Sequence, residues 1–274
     1  MKSMQKNLIL AILCALFVTG TAAANLCAPK WIQQPDTTPT GLDVRATYPV
    51  VLADDFLCTE ARPITDIHIW GSWLNDNLPG VGTVPDAANV TFKLSIHADI
   101  PVGGENNYSR PGEELWSAQL RPTNVQAYAR DIQEGWYDPY TREYFPSQPN
   151  PADTVCWQYD FIIDPLEAFE QQGSSLNPVT YWLDVQATPD GQNPDVLFGW
   201  KSSLQHWNDD AVWADAGPQG SGTWLELEYP DGHQYEGQSI DLAFAITPEP
   251  TTVSLLGIGW LMARTARRKR SRST

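Results

Sequence analysis

The sequence predicts an all-β protein, a β-sandwich of jelly-roll type, carrying an N-terminal signal peptide and a C-terminal transmembrane helix. Three observations carry this reading. Period-two alternation of apolar residues recurs through the middle of the chain, turn residues separate the alternating runs, and each end has an apolar stretch beside basic residues.

The first element is the signal peptide, residues 1–24. Lys2 and Lys6 form a basic start, Leu8 to Val18 is almost wholly apolar, and Ala22-Ala23-Ala24 offers the small-x-small exit that signal peptidase accepts. Cleavage after Ala24 leaves Asn25 as the first mature residue. A short anchor that is never cut is the alternative. Cys14 lies inside the apolar run behind a bulky Leu13, which argues against a lipoprotein signal.

The second element, residues 25–247, is the folded domain. Val90, Phe92, Leu94 and Ile96 alternate with polar partners, as do Val155, Trp157, Tyr159, Phe161 and Ile163. Tyr181, Leu183 and Val185 form another alternating run, and Ile240, Leu242, Phe244 and Ile246 close the domain. Further strand candidates are Val50 to Leu57, Ile64 to Trp73, Val196 to Lys201 and Trp224 to Tyr229. Pro165 to Gln172 is the fair helical candidate, and Pro101 to Pro122 and Tyr137 to Pro151 read as long Gly/Pro-rich loops. A chain of this length supports one good core.

The third element, residues 248–274, is the tail. Pro248-Glu249-Pro250 fixes two φ angles, removes two backbone donors and stays extended, the shape a protease reads. Thr251 to Ala263 is apolar and can be helical, and Arg264, Arg267, Arg268, Lys269 and Arg270 stop it on the cytoplasmic side. As a helix the apolar stretch rises only about 20 Å against roughly 30 Å of hydrocarbon. Long Arg and Lys side chains snorkel to cover part of the difference.

These three features, in this order at the terminus, resemble the PEP-CTERM sorting signal of bacterial exosortase substrates. The resemblance covers Thr247 to Thr274. It implies an inner-membrane-anchored precursor, processed by exosortase near Pro-Glu-Pro, then released or passed to the cell surface. The middle of the chain resembles an uncharacterised β domain found ahead of such tails. That likeness rests on Ala53-Asp54-Asp55-Phe56, Ile64 to Trp73, Ser95 to Pro101, Tyr181 to Val185 and Phe198 to Ala211. It implies no activity.

Charge narrows the partners. Of 17 basic residues two lie in the signal and six in the tail, which leaves nine in the domain, against all but one of the 33 acids: a formal charge of −23. Such a surface repels nucleic acid and anionic lipid. Signal cleavage leaves Cys27, Cys58 and Cys156, enough for one disulfide in an oxidising compartment. All three pairings stay open, with Cys58–Cys156 preferred because both sit in strand-like segments.

Three constellations could carry chemistry. The chain has 12 Trp, and Trp70, Trp73, Trp182, Trp200, Trp207 and Trp213 lie in or beside strands. Indole faces stack on sugar rings, so exposed Trp70 and Trp182 would make a glycan platform, while buried ones would be core. No cofactor is expected; Asp54-Asp55, Asn75-Asp76-Asn77, Asp190 with Asp195, and Asn208-Asp209-Asp210 offer hard oxygens that could hold a structural calcium, but Asx residues usually serve turns. Glu226 and Glu228 share one strand face about 7 Å apart. A retaining glycosidase wants its two carboxyls about 5–5.5 Å apart and an inverting one more, and the neighbourhood matches no glycosidase motif. His97 with Asp99 and His206 with Asp209 could pair as base and orienter, but no Gly-x-Ser-x-Gly elbow accompanies them.

The expectation is therefore an exported, non-enzymatic protein of the cell surface or extracellular matrix, with no catalytic residue assigned. Its partners are signal peptidase, exosortase and an exopolysaccharide. The alternative is a secreted glycoside hydrolase or lyase.

Overall fold

The alternation at Val90, Phe92, Leu94 and Ile96 does what period two requires: all four side chains are wholly buried on one face of a strand. The computed structural model describes residues 30–82, 84–103 and 107–247. The expected signal segment, with Ala22, Ala24 and Asn25, lies outside the described residues, as does Cys27. So does the expected sorting tail, with Pro248, Glu249, Pro250 and the run from Arg264 through Arg267, Arg268, Lys269 and Arg270. Among the described residues no helix is long and apolar enough to cross a membrane.

In chain order the first strands are β1 (Trp31–Gln33), β2 (Leu42–Arg45), β3 (Val50–Glu60), β4 (Pro63–Ile64) and β5 (Asp66–Trp73). A ribbon of β6 (Gly80–Val81) and β7 (Val84–Pro85) precedes β8 (Val90–Ile100), β9 (Arg110–Leu120) and β10 (Asn124–Asp138). Then come β11 (Glu143–Phe145), β12 (Asp153–Ile162), β13 (Phe169–Glu170), β14 (Ser174–Pro189) and β15 (Phe198–Ser203). β16 (Val212–Asp215), β17 (Leu225–Glu226), β18 (Asp241–Leu242) and β19 (Phe244–Thr247) complete the domain.

One sheet of six strands runs β17-β16-β3-β14-β8-β9, all antiparallel. A nine-stranded sheet runs β1-β19-β5-β12-β10-β2-β15-β18, with β11 on β10. β15 also pairs back onto β5, through Phe198↔Trp73, Gly199↔Ser72 and Trp200↔Gly71. Strands β5, β12, β10, β2 and β15 therefore form a closed ring.

The all-β expectation holds, but the fold is not an open two-sheet jelly roll, because part of one sheet curls into a small barrel. Glycine permits the closure. A Cβ on Gly71 would sit 2.1 Å from the Gly199 carbonyl oxygen, and one on Gly199 would sit 2.6 Å from the Trp136 ring.

The main core fills the space between the ring's outer surface and the six-stranded sheet. Phe92 on β8 meets Tyr159, Phe161 and Phe198 on the ring, with centroids 5.2, 5.3 and 5.1 Å apart. Trp73 Nε1 donates to Tyr159 Oη at 2.8 Å, satisfying both buried polar tips.

Several expectations need correction. Pro165 to Gln172 is a turn followed by β13, which pairs with β4. Pro101 to Pro122 contains β9, and Tyr137 to Pro151 contains β11. β9 is a sheet edge with mostly exposed side chains, so no apolar alternation marks it. Cys58 and Cys156 are both free and buried. They belong to different sheets, and Cys58 Sγ lies 2.7 Å from Gln171 Oε1.

Candidate functional site

The two tryptophans expected to stack on sugar are core residues. Trp70 is 5% exposed and Trp182 is 0% exposed. Trp70 does face away from Ile67 and Ile69, but that face is the ring's interior, where it packs on Cys156, Ala243 and Ala245. Trp182 lies on the outer face of the six-stranded sheet, beneath Tyr108 and Trp224, and its Nε1 donates to Asp99 Oδ1 at 2.8 Å. A platform at these positions is excluded.

Aromatic surface survives elsewhere. A groove of about 680 Å³ runs where the end of β10, β11, β16, β17 and the turn after Glu228 converge. Tyr137, Tyr144 and Trp213 line it, each half-buried. Tyr229 forms its floor, stacked on His233 with centroids 4.4 Å apart and planes 12° apart. The rim carries Glu226, Glu228, Asp231 and Glu236 against Arg142. Burial, then the charges of Asp210 and Glu228, pushes the Glu226 carboxyl above its ordinary range. The sequence singled out Glu226, Glu228 and Trp213 but gave no sign of the tyrosines, which arrive from β10 and β11.

Two of the four acidic segments come together. Asp54 and Asp55 sit buried in mid-β3, and the loop holding Asn208, Asp209 and Asp210 lies beside them with Asp241. Several of these oxygens already hold backbone. Asp54 accepts from Leu242 N at 2.6 Å, Asp241 accepts from Trp207 N at 2.8 Å, and Asp209 accepts from Ser109 N at 2.5 Å. Asn208 donates to Asp55. Burial, with Asp241, Asp99 and Asp209 nearby, holds Asp55 up at about 8.

The other two segments also serve structure. Asp76 accepts from Thr154 Oγ1 at 2.7 Å, and Asp190 takes both oxygens' bonds from Arg121 Nη2. The histidines find other partners than expected: His97 bonds Asp184 at 3.0 Å, and His206 lies 3.5 Å from Asp241.

The ring's interior holds a cluster that sequence reasoning missed. Each of its five strands contributes one buried polar side chain: Ser72, Asp153, Glu134, Asp43 and Lys201. Lys201 Nζ lies 2.7 Å from Asp43 Oδ2 and 2.6 Å from Glu134 Oε1. Ser72 Oγ donates to Glu134 Oε2 at 3.0 Å. Burial alone would lower the lysine, but Asp43, Glu134 and Asp153 outweigh it and hold the ammonium well above its usual range. Burial pushes Asp43 up to about 7, against the pull of Lys201.

The Asp43, Glu134 and Asp153 oxygens lie within 4.8 Å of one another, close enough for a divalent cation, but Lys201 supplies a positive charge among them. Calcium takes six to eight oxygens. The only signal for this cluster in the sequence is Lys201 itself, a basic residue in a strand-like run between Trp200 and Ser202.

A family model described as a domain of unknown function, DUF7901, matches residues 29–247. No curated protein matches the chain.

Proposed function

We propose, from the premise that this chain belongs to the DUF7901 family of domains of unknown function, that it is an exported, non-enzymatic glycan-binding protein. The observation that carries this is the groove, which sets half-buried Tyr137, Tyr144 and Trp213 beside carboxylates and one guanidinium. Aromatic faces supply stacking, and rim carboxylates accept hydrogen bonds from sugar hydroxyls. Four acids against one arginine disfavour anionic polymers, so the ligand class is a neutral or amino-sugar polysaccharide.

Export rests on the sequence at the two ends. Ala22 to Asn25 supports signal-peptidase cleavage, and Pro248-Glu249-Pro250 with the basic run supports exosortase sorting through a short membrane-spanning helix. The address is the cell surface or extracellular matrix, after transit through an inner-membrane-anchored precursor.

A second reading follows from Glu226 and Glu228 in the same groove. The raised Glu226 carboxyl would act as acid and Glu228 as base in an inverting glycosidase. One experiment separates the two: a polysaccharide panel scored for both retention and reducing-end release. Retention without release supports the binding module. Release abolished by Glu226→Gln supports the enzyme, and neither retention nor release overturns both.

A further inference from the structure

We propose that Lys201 and Asp43 are joined in the mature protein by an intramolecular isopeptide bond between Lys201 Nζ and Asp43 Cγ.

Register places the reactants. Lys201 and Asp43 are direct partners across the β15–β2 pairing and point into the same sealed interior. Nζ lies 2.7 Å from Oδ2, and Cγ is one carbon–oxygen bond beyond. A pair fixed this way by two strands is held close to an attack geometry.

Glu134 supplies the proton carrier. Its Oε1 lies 2.6 Å from the same Nζ, while Ser72 fixes its other oxygen. All three reacting groups are fully shielded from solvent. Starting from an ammonium on Lys201, a carboxylic acid on Asp43 and an ionised Glu134, the step balances. Lys201 passes one proton to Glu134, and the neutral amine attacks Asp43 Cγ. The carbon–nitrogen bond forms, and one carbon–oxygen bond breaks. The departing hydroxyl takes a second proton from nitrogen and leaves as water. The products are an amide with one N–H, a water molecule and protonated Glu134. Nothing is oxidised or reduced, and no co-reactant enters.

The environment favours the product. Raising Asp43 to about 7 keeps part of it as the acid, a better electrophile than the carboxylate. The cluster otherwise buries three carboxylates around one ammonium, and Asp43 Oδ1, Glu134 Oε1 and both Asp153 oxygens lack a well-aligned hydrogen-bond partner among the described residues. The step neutralises two sealed charges, the Lys201 ammonium and the Glu134 carboxylate, which removes the desolvation that a buried ion pair must overcome. The domain has only three lysines against its large negative charge, and this one is withdrawn from the surface entirely.

The test is the intact mass of the exported full chain, read under denaturing conditions after its termini are assigned. The expected mass is one water below the sum of the residues. Proteolysis should then yield a branched peptide containing both Asp43 and Lys201. Glu134→Gln, with folding checked by circular dichroism, should give the unshifted mass. An unshifted wild-type mass overturns the proposal whatever the variant does. So does a water loss that maps anywhere else.

Discussion

His68 Nδ1 lies 2.7 Å from Asp160 Oδ1, directly across the β5–β12 pairing. Burial alone would lower the imidazole, but its hydrogen bonds to the carboxylates of Asp66 and Asp160 outweigh it and raise it to about 9. A histidine that ordinarily titrates near 6.5 therefore stays charged in the fold at neutral pH. Its contribution is full below about pH 6.5 and is lost as pH rises through about 9. Asp55, held up at about 8 by burial, acts in the same direction, because the unfolded chain ionises it near pH 4 and the fold resists that. Thermal stability should therefore fall between pH 6 and pH 9. His68→Gln should remove about 2 kcal/mol at pH 6 and flatten the slope. A melting curve series showing equal slopes for variant and wild type would contradict the assignment.

Core and groove aromatics should separate cleanly on substitution. Trp182→Ala should destabilise by about 3–5 kcal/mol, since the ring is fully enclosed. Trp213→Ala and Tyr144→Ala should each weaken polysaccharide retention by about 1 kcal/mol, the lower end for a stacked ring. They should lower the melting temperature by only a few degrees. Pull-down on insoluble polysaccharide, paired with calorimetry, checks both halves. Unchanged retention would remove the groove from the reading.

Closure of the ring depends on the bare backbone at Gly71. Gly71→Ala should lower urea stability by about 3 kcal/mol, because its Cβ collides with rigid backbone on β15. Gly80→Ala is the control, with its nearest neighbour 3.9 Å away, and should change stability by less than about 1 kcal/mol. Equal midpoints for the two variants would show that β5 and β15 can part without penalty.

The sorting proposal concerns Pro248, Glu249 and Pro250. Replacing all three by Ala would let the segment join the helix proposed for Thr251 to Ala263 and should leave a longer, membrane-retained form. Mass spectrometry of the C-terminus checks this. Identical maturation of variant and wild type would refute it.

The strands built on strict alternation were legible because burial enforces period two: Tyr181, Leu183 and Val185 are buried where the pattern put them. Edge strand β9 was not legible, since exposure lets Glu113, Glu114 and Gln119 stand among apolar residues. Closure was hidden for a different reason. It depends on Gly71 and Gly199 approaching over a sequence distance that no local pattern reports. That closure also reversed the reading of Trp70, whose outward face became an interior. Half of the groove was visible in Trp213, Glu226 and Glu228. The other half, Tyr137 and Tyr144, needed β10 and β11 to be brought alongside by tertiary contact.

Among the described residues β1 has a single ladder neighbour, β19, with Trp31 opposite Ile246 and Gln33 opposite Phe244. The first strand of the domain thus waits for the last four residues. Until β19 is in place, residues 31–33 have no ladder partner among the described residues, and the edge of β5 that receives β19 stays open at Ile67 and Ile69. Native pairing at these positions spans nearly the whole domain, the kind of contact that forms late because so much chain must be ordered to reach it. Completion is therefore coupled to arrival of Thr247, so a chain halted before that residue presents two unfilled strand edges to whatever quality control it meets.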